Sequence, residues 1–164
     1  MTTPSQFVPT AVLITTLLAT GAARAQQAFD VTICRAGTVT VLAQADGLIV
    51  SAIDQRGVAV STGAKSPFDG ITQRCMGVVA NIAGKASGSG WCRSVDPKSG
   101  DWYVVDWTSS DKPGFGTFAY RHGIGKWKGI TGGGTYEPLE QTRPVDPGTY
   151  QNCNRSKGTF SIPG

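Results

Sequence analysis

The chain has 164 residues, 22 of them Gly and four of them Cys, with 16% charged residues and a formal net charge of +4. That length suits one domain with a core of its own and is short for two, and the composition lies far from the charged, apolar-poor regime of disordered chains. Lys and Arg are scattered singly instead of gathered into a stripe, so the electrostatic footprint of a nucleic-acid binder is missing.

Residues 11–22 (AVLITTLLATGA) form an apolar run followed by Ala23-Arg24-Ala25, a small-x-small cleavage pattern. The spacing predicts a signal peptide over residues 1–25 and a mature all-β domain over 26–164, exported to the periplasm or secreted. No Lys or Arg precedes the run, which leaves the terminal amine as the sole positive charge there. A dozen apolar residues fall short of the roughly 20 that a membrane span needs, so no stable span is expected.

From Ala28 onward, short runs of β-branched and aromatic residues alternate with Gly, Asp, Ser and Pro, and no 3.6-residue periodicity lasts three turns. Val31 and Ile33 alternate with Thr32 and Cys34; Val39, Val41 and Ala43 alternate with Thr40, Leu42 and Gln44. Asp46-Gly47 then separates two apolar runs, the signature of a tight hairpin. Further runs cover 48–53, 58–61, 76–83, 90–95, 102–108, 116–122, 126–131, 135–139 and 159–162. Residues 140–151, with two Pro and no alternation, read as a long surface loop. Eight to ten short strands with little room for crossovers fit an antiparallel meander that closes into a barrel, most naturally eight-stranded, or folds into a sandwich.

The four cysteines are Cys34, Cys75, Cys92 and Cys153. An even count in an exported chain reads as two disulfides, and a lone His122 with no C-x-x-C pair gives zinc nothing to bind. Cys75 and Cys92 lie symmetrically about Ala83-Gly84, where the chain can turn between paired strands. Cys34 and Cys153 become neighbours if a barrel closes first strand against last. The sequence leaves the other two pairings open.

The most distinctive stretch is Gly114 to Tyr136, GFGTFAYRHGIGKWKGITGGGTY. Phosphate-binding Gly loops need a strand before and a helix after, whereas strands are expected on both sides here, so Gly serves bends and bulges of a strongly coiled sheet. This run resembles the strand pair of allene oxide cyclase-like and dirigent-like barrels, of calycin type, including small exported bacterial proteins of that barrel type. The resemblance spans roughly Trp91 to Tyr136 and implies an eight-stranded barrel. In the plant cyclases a hydrophobic barrel cavity holds an unsaturated substrate and guides ring closure; no motif here corresponds to their catalytic residues, and none is carried over.

No nucleophile elbow, metal-ligand cluster or cofactor motif is present, and no catalytic residue or cofactor is assigned. Asp96 and Asp101 bracket a turn, too few carboxylates for calcium. Alternation places Asp106 with Trp102 and Val104 on one face, and Tyr103, Val105 and Trp107 on the other. Pointing inward, Asp106 would need Arg121, Tyr120 or Tyr136 as a partner; pointing outward it is simply solvated. Trp102, Asp106, Tyr120, Trp127 and Tyr136 are thus the candidate ligand-binding residues. The expected role is binding of a small apolar or amphipathic ligand, or service as an interaction module. The alternatives are a cavity-templated isomerase using Asp106, Tyr120 and Tyr136, and a carbohydrate-binding surface built on the Trp residues.

Overall fold

A computed structural model describes residues 25–163 except 64 and 142. Eight antiparallel strands follow one another around a closed barrel, each paired with its neighbours in sequence and the last with the first. They are β1 (Gln27–Ala45), β2 (Leu48–Ser61), β3 (Thr72–Ile82), β4 (Lys85–Val95), β5 (Trp102–Ser109), β6 (Gly116–Gly123), β7 (Thr131–Gln141) and β8 (Thr149–Ser161). Closure pairs every strand on both sides, although β6 and β7 meet over only Gly116–Ala119 and Gly133–Tyr136. The barrel alternative is therefore the one realised, and the sandwich is not.

Alternation decides which side chains fill the interior. Phe29, Val31 and Ile33 of β1 and Tyr103, Val105 and Trp107 of β5 are buried, while their neighbours in sequence face out. Asp46-Gly47 joins β1 to β2 with Gly47 at φ 68°, and the β3–β4 turn puts both Ala83 and Gly84 at positive φ, as a type I′ hairpin demands. Both expected disulfides are present: Cys34–Cys153 staples the first strand to the last, and Cys75–Cys92 crosses the β3–β4 pair. Cys75 and Cys92 are buried on the inner wall.

Three expectations need correction. The runs at 31–34 and 39–43 are one strand, as are 48–53 and 58–61, because Gly37 and Gly57 lie inside continuous ladders instead of breaking them. A Cβ at Gly57 would strike the Cys34 carbonyl, so these glycines permit close backbone approach in a steeply coiled sheet. The run at 126–131 is not a strand: Gly125–Trp127 is a 3₁₀ turn, with Gly125 at φ 58°, that folds Trp127 into the barrel end. Finally, β7 and β8 extend into the span read as a loop, leaving 142–148 to connect them.

The two ends of the barrel differ. At one lie the chain entry to β1 and the loops 62–71, 96–101 and 124–130; at the other lie the turns 46–47 and 83–84 and the loops 110–115 and 142–148. The first end is plugged by aromatics. Phe68, from the loop after β2, is 2% exposed and meets Phe29 at 4.8 Å, Phe160 at 4.9 Å and Trp127 at 5.1 Å between ring centroids. Its loop is held by Asp69, whose carboxylate accepts from Ser61 N, and by Gly70 N donating to Ala59 O.

Candidate functional site

Above the plug the interior is not filled. A cavity of about 460 Å³ runs toward the hairpin end, where Val39, Ile49, Val79, Asn81 and Pro113 line it. An eight-stranded barrel is just wide enough for its own side chains or for one small ligand, and small-ligand pockets run from about 300 to 1,000 Å³. Beyond Tyr103 its β5 wall is apolar: Val105 and Trp107 face inward, with Phe118 of β6 beside them. Trp107 lies against Gly77 and Gly90, where a Cβ would collide with its ring. Its indole Nε1 is a buried donor with no partner.

The opposite wall is polar, and its centre is Arg35. Counting by two from Phe29, Val31 and Ile33 brings Arg35 to the inner face, and its stem passes over Gly57, where a Cβ would crowd it. Its guanidinium donates through Nε (3.1 Å) and Nη2 (2.7 Å) to Gln73 Oε1. Gln73 Nε2 donates in turn to Ser94 Oγ at 2.9 Å, and Ser94 hydrogen-bonds Tyr103. A polar ridge thus crosses β1, β3, β4 and β5 on one register row. Tyr103, Tyr136 and Tyr150 lie close enough to Arg35 to feel its charge.

Burial governs the electrostatics here. It pushes the Arg35 pKa down, with the tyrosines opposing, yet a guanidinium stays charged at any ordinary pH. Burial raises the Tyr103, Tyr120 and Tyr150 phenols and pushes Tyr136 up to about 12, so all four remain hydroxyl donors. Tyr136 OH donates to Thr108 O at 3.1 Å. Asn154, within a glycosylation-type tripeptide, faces the cavity and is 5% exposed, which hides its amide from modification.

The five candidate residues separate. Tyr120 and Tyr136 line the cavity. Trp127 is sealed in the plug against Phe68 and Tyr103. Trp102 lies on the outer wall, under Arg93 and beside His122. Asp106 is also outside, paired with Arg121. Asp106, Tyr120 and Tyr136 therefore do not converge, because the period of two that buries Tyr103, Val105 and Trp107 turns Asp106 away. Sequence reasoning missed Arg35, Gln73 and Tyr150, and the same period of two run from Val31 marks the first of them. Among the described residues no cluster of His, Cys, Asp or Glu could hold a metal, and no helix is long and apolar enough to cross a membrane.

Among solved structures, the barrel is similar to a pterocarpan synthase dirigent protein, GePTS1, with a TM-score of 0.52 and 11% sequence identity over 84% of this chain and 92% of that one. The two share the architecture of a closed eight-stranded antiparallel barrel. No protein-family model matches the chain, and no curated protein matches its sequence. At 11% identity the likeness is one of fold.

Proposed function

We propose that this protein is an exported barrel that binds one small amphipathic ligand inside its cavity, entered from the hairpin end. The observation that carries this reading is a cavity of about 460 Å³ with an apolar wall on one side and the Arg35–Gln73 ridge on the other. Burial of a ligand's apolar body against Val105, Trp107 and Phe118 supplies the affinity, at roughly 25 cal/mol per Å² removed from water, and the polar ridge sets orientation. The two disulfides support an oxidising compartment, in keeping with a cleaved leader over residues 1–25, nearly all of which lies outside the described residues. The similarity to a dirigent barrel supports a cavity as the working part of the fold.

The test fills the mouth. Ser51 lines the cavity near the hairpin end, and Ser51→Trp should occupy that space while leaving the strand ladder intact. Isothermal titration with an amphipathic probe, 2-naphthoate, should show binding to the wild type and at least about a tenfold loss in the variant. Equal binding by a folded variant would place the ligand elsewhere and sink the reading.

A further inference from the structure

We infer that the ligand carries a single anionic head, of carboxylate type, which pairs with the Arg35 guanidinium, while its apolar body lies against the β5 wall. The inference rests on the cavity-binding reading above and deepens it.

The argument is one of charge accounting. Arg35 is the sole charged side chain lining the cavity among the described residues. On the outer wall Arg74 pairs with Asp54, Arg121 with Asp106 and Arg155 with Asp30, while Arg93 lies over the Trp102 ring in contact with solvent. Asp96 and Glu137 are taken by Lys126 and Lys157. No described carboxylate faces Arg35, whose hydrogen bonds go to one neutral oxygen, Gln73 Oε1. A guanidinium has five N–H donors in a planar fork, and that contact uses two. A charge partly withdrawn from water without a counter-ion is costly, so a fold that keeps one on an otherwise neutral inner wall is built to receive an anion.

The surroundings fit a carboxylate. Arg matches its two oxygens in the plane of the fork. Tyr150, the register partner of Gly37 on β8, lies beside Arg35 as a protonated hydroxyl. Gln73 cannot leave easily, because its amide is tied to Ser94, which is fully buried. The ridge therefore holds the guanidinium in place before the anion arrives, which lowers the ordering cost of binding. In the closed strand order β5 stands opposite β1, so a head on Arg35 directs the body of the ligand toward Val105 and Trp107.

The experiment compares acids with alcohols of the same body on the full oxidised protein: 2-naphthoate against 2-naphthalenemethanol, and dodecanoate against dodecan-1-ol, by isothermal titration. The two pairs separate a ring from a chain as the body. The acid should bind at least about tenfold more tightly than its alcohol in one pair or both. Arg35→Gln should erase that preference, with the acid losing far more affinity than the alcohol of the same body. Should that variant fail to fold, Arg35→Lys keeps the charge without the fork and should weaken the acid severalfold, and Tyr150→Phe should weaken it by a smaller factor. Equal affinity for acid and alcohol in both pairs overturns the anionic head and leaves cavity binding standing. Failure of all four probes overturns both.

Discussion

The plugged end and the hairpin end of this barrel are made from the same eight strands and solve opposite problems. At the plugged end the inward residues are large and aromatic, and two loops add Phe68 and Trp127, so the interior is packed solid. Toward the hairpin end small inward residues such as Val39, Ser51, Val79 and Ser109 stand among Trp107, Phe118 and Tyr150, and the cavity stays open. Dense packing thus lies at one end and open space at the other, the division of labour expected where a rigid scaffold carries a binding site.

The comparison predicts a graded set of effects. Phe68→Ala should cost about 3–5 kcal/mol in denaturant unfolding, the range for deleting a buried aromatic. A loss below about 1 kcal/mol would show that the plug is not where stability lies. Arg35→Met should move the other way, gaining about 1–2 kcal/mol, because an unpaired cation gives way to an apolar side chain of similar length. Its melting temperature should rise by several degrees as affinity for acids disappears. A drop in melting temperature would mean that Arg35 is structural first. Val39→Ala at the mouth should cost about 1 kcal/mol or less, since its side chain faces the open cavity instead of packed neighbours.

The smallest effect concerns acid. Asp96, in the loop 96–101 of the plugged end, has its carboxyl held below the usual range, first by Lys126 and then by the backbone N–H of Lys98. A carboxyl with a depressed folded-state pKa adds stability above its unfolded pKa of about 3.9, and that stability is lost as the pH falls through the folded value. Hydrogen exchange should therefore show the loops 96–101 and 124–130 loosening below about pH 4 before the hairpin end does. Asp96→Asn should show that looseness already at neutral pH; an unchanged acid profile in the variant would remove Asp96 from the account.

The sequence discloses more of the scaffold than of the site. Strand alternation and the Asp46-Gly47 turn follow from local pattern, and barrel closure favours the two disulfide pairs found without excluding the other pairings. Gly37 and Gly57 misled because a glycine that ends a strand and one that lets two strands cross closely look alike in one dimension. Trp127 sits in a run with strand-like composition, and its 3₁₀ turn depends on burial in the plug. At the site, Tyr120 and Tyr136 face the cavity, but Asp106 drew notice for its charge although its parity with Trp102 placed it outside. Arg35 was overlooked for the converse reason: beside Cys34 and ahead of Ala36-Gly37 it looks like a surface residue at a strand end, and its neighbours Gln73 and Tyr150 come from distant segments.

The four tryptophans offer the most direct test, since Trp107 lines the cavity, Trp127 sits in the plug, Trp102 lies on the outer wall and Trp91 is 56% exposed there. In a ¹⁵N–¹H spectrum of the indole region, titration with 2-naphthoate should shift the Trp107 Nε1–H signal strongly and leave Trp91 and Trp102 in place. Shifts confined to Trp91 or Trp102, with Trp107 unmoved, would put binding on the outer wall and contradict a ligand held inside the barrel.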